Sequence, residues 1–482
     1  MVNIDYKKLK FKSGLEIHQQ LDSGKLYCKC PSLLRSEEPD FEVKRKLHAV
    51  AGESGEVDVA AKHEANLDKE FIYQGNYDNC CLVELDEEPP KEINKDALKI
   101  AVQIALLMNM KIIPISQIMR KTVIDGSNTS GFQRTVLIAR DGFLETSQGK
   151  VGIDWLYLEE DAARTISREK DKVVYNLDRL GIPLVEIVTA PEIKDAEHAK
   201  EVALMIGEIL RSSKVRRGIG TIRQDVNISI RGENRVEIKG MQDMNIFVDA
   251  IEKEILRQRE LSDKKKPVEM EVRNVLPDGT SKFMRPLPGS ARMYPETDLP
   301  LLKISRDFIN AAKKDLPKLR TEVKDDLRKQ GLSEEMIGLL FKQGKLEEYK
   351  ELVGFYNSPM LVAKILLVFP KQIASSLNKS LEEVENLVLN SYGDVLRLLE
   401  RKKIKEGDLK EIITNLALGK KLDEAIKIEK KDSSEVEEWL IKILKEKPGL
   451  NPNAYMGLVM KEFKGNVDGR EVMKIIQKHT KS

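Results

Sequence analysis

At 482 residues the chain is too long for one hydrophobic core, so two to four domains are expected, and 41% hydrophobic content is enough to fold them. Lys+Arg 81 and Asp+Glu 79 nearly cancel to +2, yet 33% of residues are charged and only 5% aromatic, a density of both signs that suits ion-pair networks and a heat-loving source. No signal-peptide core opens the chain, and the longest apolar stretch, 360–369, is interrupted by Lys364 and far too short to cross a bilayer; a soluble cytoplasmic protein with no membrane partner is expected.

Residues 14–20 alternate. As a strand they turn Leu15 and Ile17 one way and Glu16, His18 and Gln20 the other. With five histidines in the whole chain, one beside a glutamate is a candidate ligand or acid/base group, although a surface strand with a polar side is the commoner reading of the segment alone. Cys28 and Cys30, then Cys80 and Cys81, are the only cysteines; in a reducing compartment two close pairs read as a structural tetrathiolate zinc site, the alternative being four small buried hydrophobes. Helical spacing appears over 96–110, 195–213 and 245–259, with Asp96 and Asp195 as N-caps. Between them, alternation over 155–161 puts Glu159 and Asp161 on one face and Glu160 on the other, and Glu186 is embedded in an apolar run, where an acid is costly unless paired or bound to a metal. Asp225, Asn227 and Ser229 alternate with Val226, Ile228 and Ile230, and Glu237 and Lys239 with Val236 and Ile238.

After residue 300 strand-like alternation gives way to amphipathic helices over 306–330, 333–341 and 380–400. The fold expected is α+β, with a mixed β-rich domain over 1–298 and all-α domains over 299–370 and 371–482. Residues 391–482 carry 20 Lys+Arg against 16 Asp+Glu, compatible with a phosphate backbone as partner or with a merely solvated face.

Carboxylates, an amide and one histidine on adjacent strands make a hard, oxygen-rich site that suits Mg²⁺ better than zinc. Magnesium suggests phosphate, and Lys121, Arg134, Lys214, Arg216, Arg217 and Arg223 are cations available to neutralise it. The chain lacks a Walker-type loop, a dinucleotide fingerprint after a strand and a nucleophile elbow, so an ATP site must be of an unusual type and no arrangement for amide hydrolysis is found.

The segments Gly14-Leu-Glu-Ile-His18, Leu158-Glu-Glu-Asp161, Gly181-Ile-Pro-Leu-Val-Glu-Ile187, Asp225-Val-Asn-Ile-Ser229, Glu237-Ile-Lys239 and Tyr294-Pro-Glu-Thr-Asp-Leu-Pro300 resemble, in order, the GatB/GatE family of tRNA-dependent amidotransferase subunits. Cys80-Cys-Leu-Val-Glu84 with Asp86-Glu-Glu-Pro-Pro90, and Arg285-Pro-Leu-Pro-Gly289, resemble its archaeal GatE branch, although the extra synthetase-like domain usual there is replaced by about a dozen residues, 261–272. The resemblance implies a cradle domain followed by a helical domain and a YqeY-like tail. It implies phosphorylation by ATP of the side-chain carboxylate of Glu on tRNA(Gln), then displacement of phosphate by ammonia from an asparaginase-like GatD subunit, in a heterotetramer with two copies of each subunit. By motif position, Glu16, His18, Glu159 and Glu186 would bind Mg²⁺. Asp225, Glu237 and Lys239 would handle ATP or the aminoacyl end, with Gln133, Arg134 and Arg223 beside them. The alternatives are a GatB-type subunit that also amidates Asp-tRNA(Asn), a noncatalytic zinc-containing tRNA-binding protein, and a free-standing ligase for a small carboxylate.

Overall fold

The computed structural model describes residues 4–46, 69–123, 125–218, 220–287, 293–427, 433–463, 467 and 469–480. The chain divides into two compact units, Met1–Arg320 and Thr321–Ser482, the first sheet-rich and the second helical.

An 11-stranded sheet organises the first unit. Its strands run in the order Ser281–Pro286, Glu271–Val275, Val236–Lys239, Ile222–Ser229, Lys12–Gln20, Pro183–Thr189, Gly149–Glu160, Phe132–Thr146, Ile118–Thr122 and Met293–Pro295, with Lys111–Ile112 also on Phe132–Thr146. Neighbours are antiparallel except Val236–Lys239 beside Glu271–Val275. The expected alternation decides which face is buried: Leu15, Ile17, Val185, Ile187, Leu156, Leu158, Val226 and Ile228 are all at most 2% exposed and form one core with helices Lys95–Leu107, Ala196–Ser212 and Phe247–Asp263. Gly14 lets the first strand run close to Pro183–Thr189, because a Cβ there would stand 3.1 Å from the Thr189 carbonyl oxygen.

Asp195 caps its helix by accepting from the His198 amide, as expected. Asp96 does not cap. Asn94 stands one residue before Lys95–Leu107 in extended conformation and accepts from the amides of Asp96 and Ala97, leaving Asp96 as an acid in the first turn. A smaller four-stranded sheet, Phe41–Arg45, Glu70–Gly75, Lys172–Asn176 and Arg164–Arg168, packs its own core around Tyr73, Tyr175 and Leu177.

The helical stretch 306–330 is two helices, Arg306–Lys314 and Arg320–Lys329, since Pro317 cannot continue the first. Arg306–Lys314 belongs to the first unit, where Gln103 donates to the carbonyls of Ala312 and Asp315. In the second unit, Ser333 and Ser380 cap their helices. Residues Pro359–Leu377 are apolar enough to cross a membrane by composition, yet they fold as two nine-residue helices that put Val362, Ile365, Leu366 and Ile373 into the unit's core. A separate small core holds Ser433–Glu446, Pro452–Glu462 and Gly469–Thr480 together.

Candidate active site

The polar alternants of the central strands share the sheet face opposite the helices. Register sets His18 opposite Glu186 on one neighbour and Arg223 on the other, Glu16 opposite Asp225, and Lys121 opposite Gln133. Glu16, His18, Lys121, Gln133, Glu159, Arg223, Asp225 and Lys239 line an open cleft of about 370 Å³, joined by Asp125, Asn128, Asp161, Gln242 and Arg285. His18 Nε2 lies 3.6 Å from Glu186 Oε2 and 3.7 Å from Glu16 Oε1. Lys121 Nζ bridges Glu186 and Glu159 at 2.9 and 3.1 Å. Two ligand sets result, His18 with Glu159 and Glu186, and Glu16 with His18 and Asp225, the candidate atoms of each lying within 4.8 Å of one another.

Charge is unevenly held among these groups. Burial and the nearby Glu186 push the Glu16 carboxyl up to about 7, and the same two causes raise Glu159. Burial would raise Glu186 as well, but Lys121 and His18 hold it well below the usual carboxylate range. Burial opposes the charged form of His18, which is raised nevertheless by its hydrogen bond to Glu186 and by the charges of Glu186 and Glu16. Asp225 and Glu237, at 2.5 and 2.6 Å from Lys239 Nζ, outweigh burial and lift Lys239 to about 12. Glu16 and Glu159 are thus held above the usual carboxylate range by burial and a neighbouring carboxylate, the situation that a bound divalent cation would relieve.

Asp161 anchors the cleft's second wall. It accepts from Gln20 Nε2 at 2.6 Å and Arg223 Nη2 at 2.9 Å, and against burial Arg223 and Arg179 lower it. Gln133 donates to Glu159 Oε2 at 3.1 Å, whereas Arg134, grouped with it from the sequence, points away from the cleft. It is 5% exposed and bonds Glu296 Oε2 at 2.8 Å and Glu160 Oε2 at 3.3 Å on the far face. Consecutive strand residues face opposite sides, so Gln133 and Arg134 cannot both reach one cleft. Of the other cations, Arg216 is tied to the Ser32 carbonyl and Arg217 Nη2 to the Arg211 carbonyl at 3.5 Å.

Cys28, Cys30 and Cys81 come together with Glu84, not with Cys80. Cys28 Sγ donates to Glu84 Oε1 at 2.9 Å, and the Cys81 amide donates to Glu84 Oε2 at 2.8 Å. Cys80 instead donates to Asn79 Oδ1 and packs in the core of the small sheet. Hydrogen bonds from Cys28 and Cys30 depress the Cys81 thiol, whereas burial raises Cys80. Lys25, wholly buried 3.4 Å from Glu84 Oε1, supplies positive charge beside the cluster. Three thiol sulfurs and one carboxylate suit a tetrahedral zinc ion. Sequence spacing hid Glu84 and Lys25; the signal for Glu84 was its place three residues after Cys81.

A family profile described as the GatB/GatE catalytic domain matches residues 11–310, a span that holds the cleft and the cysteine cluster. Over its whole length the chain is similar to curated archaeal proteins named as the E-type subunit of glutamyl-tRNA(Gln) amidotransferase. It is 37% identical to that of Methanocaldococcus jannaschii, covering 100% of both chains, and 34% identical to that of Methanosarcina barkeri, covering 100% of this chain and 99% of the relative. The Archaeoglobus fulgidus protein is 35% identical, with 99% of each covered. The Methanocaldococcus alignment spans 639 positions against 482 residues here, so at least 157 positions of it have no counterpart in this chain.

Proposed function

The chain belongs to the GatB/GatE family, and on that premise we propose that it is the kinase and transamidase subunit of a glutamyl-tRNA(Gln) amidotransferase. The role follows the names of its full-length relatives. The observation that carries the chemistry is the convergence of Glu16, His18, Glu159 and Glu186 from three adjacent strands, the first three lining one cleft and the buried Glu186 lying 3.6 Å from His18.

In this reading the γ-phosphoryl group of ATP passes to the side-chain carboxylate of Glu on tRNA(Gln) and ADP leaves. Ammonia then attacks the acyl carbon, the C–O bond to phosphate breaks with its electron pair going to phosphate, and the surplus proton of the amine is lost to a base. Such a transfer asks the protein mainly for positioning and charge neutralisation. Three carboxylates and an imidazole are a hard donor set that fits Mg²⁺, which would supply neutralisation of the phosphoryl oxygens. Lys121 holds Glu159 and Glu186 in place. Asp225 and Glu237 fix Lys239 at the rim, where its ammonium meets a phosphate or the aminoacyl carboxylate. Gln133 orients Glu159, and Arg223, held by Asp161, faces the same opening.

Cys28, Cys30, Cys81 and Glu84 hold a structural zinc ion. In this reading ammonia comes from an asparaginase-like GatD partner in a cytoplasmic assembly with two copies of each subunit. Residues 371–482 act as a YqeY-like tail that grips tRNA through shape and phosphate contacts. The test is incubation of the chain with Glu-tRNA(Gln), ATP, Mg²⁺ and ammonium chloride, which bypasses the partner. Gln-tRNA(Gln) is expected to form only when ATP is present; its absence under every condition overturns the proposal.

A further inference from the structure

Behind the cleft, on the opposite face of the same strands, Glu296, Glu160, Arg134 and the half-buried Arg120 form an ionic cluster, with Asp298 also on Arg120 Nη2 at 3.1 Å. Glu296, 1% exposed, places Oε1 at 2.6 Å from Arg120 Nη2 and Oε2 at 2.8 Å from Arg134 Nε, and Arg134 Nη1 lies 3.3 Å from Glu160 Oε2. Each strand member of this cluster is the sequence neighbour of a cleft residue: Arg120 of Lys121, Arg134 of Gln133, Glu160 of Glu159. Arg120 and Arg134 are direct cross-strand partners, a like-charge juxtaposition that is unfavourable without an anion between them. Glu296 is that anion, and the two guanidinium carbons also lie 4.6 and 5.2 Å from the Phe132 ring centroid. Glu296 is itself fixed: its amide donates to the Ile118 carbonyl and its carboxylate accepts from the Asp298 amide.

We infer that Glu296 is a positioning residue for the cleft. By clamping Arg120 and Arg134 on one face, it sets the spacing and twist of the strands whose next residues, Lys121, Gln133 and Glu159, interlock on the other. With Glu296 neutral, Arg134 keeps Glu160 and Arg120 keeps the exposed Asp298 at 3.1 Å, but the one carboxylate that bridges the two guanidinium groups is lost, so their strands separate and the displacement reaches the Lys121–Glu159 and Gln133–Glu159 contacts. The inference rests on the reading of the cleft as a divalent-cation site.

The experiment compares full-length wild type with E296Q, which keeps the side-chain shape and removes the charge. Mn²⁺ affinity is measured by electron paramagnetic resonance and ammonia-dependent amidation by kcat and KM. R120K, which keeps the charge and removes the two-pronged geometry, serves if E296Q does not fold. E254Q is the control, because Glu254 pairs with Arg257 on helix Phe247–Asp263 and does not line the cleft, so its loss lowers thermal stability alone. The expected result is Mn²⁺ binding weakened about tenfold or more in E296Q or R120K, the size seen when partners of metal ligands are removed, with kcat falling and KM for tRNA unchanged. In E254Q neither binding nor kcat changes. Wild-type Mn²⁺ affinity and kcat in E296Q or R120K overturn the inference. Failure of wild type itself to bind Mn²⁺ instead overturns the cation-site reading on which it rests.

Discussion

Two adjacent cysteines part at the turn that follows Glu70–Gly75. The Cys81 amide donates to Glu84 and its thiol joins Cys28 and Cys30, while Cys80 turns back into the core of the small sheet. Purified protein is therefore expected to carry about one zinc per chain by elemental analysis; C81S should lose it and C80S should keep it. Equal zinc content in the two variants would remove the proposed site. Glu296 gives a prediction with a pH sign. Against burial, its hydrogen bonds from Arg120 and Arg134 lower its carboxyl, so its charge stabilises the fold fully above the unfolded value of about 4.3 and ceases to do so as pH falls through the lower folded value. E296Q should thus be less stable than wild type by about 2 kcal/mol at pH 7, and urea unfolding should show that difference closing as pH drops below about 4. Residue identity alone could not separate Cys80 from Cys81, or the outward Gln133 from the inward Arg134. One residue of offset reverses a side chain's direction, and turn geometry, not composition, sets that offset.

At the scale of elements the sequence was more informative, because alternation and helical spacing record which side of each element is buried. The polar faces containing Glu16 and His18, Glu159 and Asp161, and Glu237 and Lys239 could all be read from period two alone. Strand order could not, and it is strand order that sets His18 beside Glu186 across 168 positions of sequence and lets Lys121 reach both Glu159 and Glu186. Ends were read less well than faces: Asp96 and Asn94 are both competent caps, and the choice is made by Asn94 Nδ2, which also donates to the carbonyls of Gly24 and Lys25 at 3.2 Å. N94A is accordingly expected to cost about 1 kcal/mol in urea unfolding, while D96A should be nearly neutral; the reverse order would return the cap to Asp96.

The whole molecule separates chemistry from a helical region whose last three helices have their own core, from Val436 to Ile476. The larger helical core runs from Leu327 to Ala425, so a cut at residue 391 would divide it, whereas removal of residues 433–482 leaves it whole. That truncated chain should melt as the remaining protein does and bind tRNA more weakly, with a shallower dependence of affinity on salt because fewer phosphates are neutralised; unchanged affinity and slope would take residues 433–482 out of tRNA recognition. In the proposed function, activation of the Glu carboxylate on tRNA(Gln) takes place at the site of His18, Glu159 and Glu186. It is tested most directly by E186Q, in single-turnover amidation of Glu-tRNA(Gln) with ATP, Mg²⁺ and ammonium chloride, alongside tRNA affinity by filter binding. A rate reduced by about a hundredfold or more with tRNA affinity unchanged is expected, whereas amidation at the wild-type rate would remove Glu186 from the chemistry.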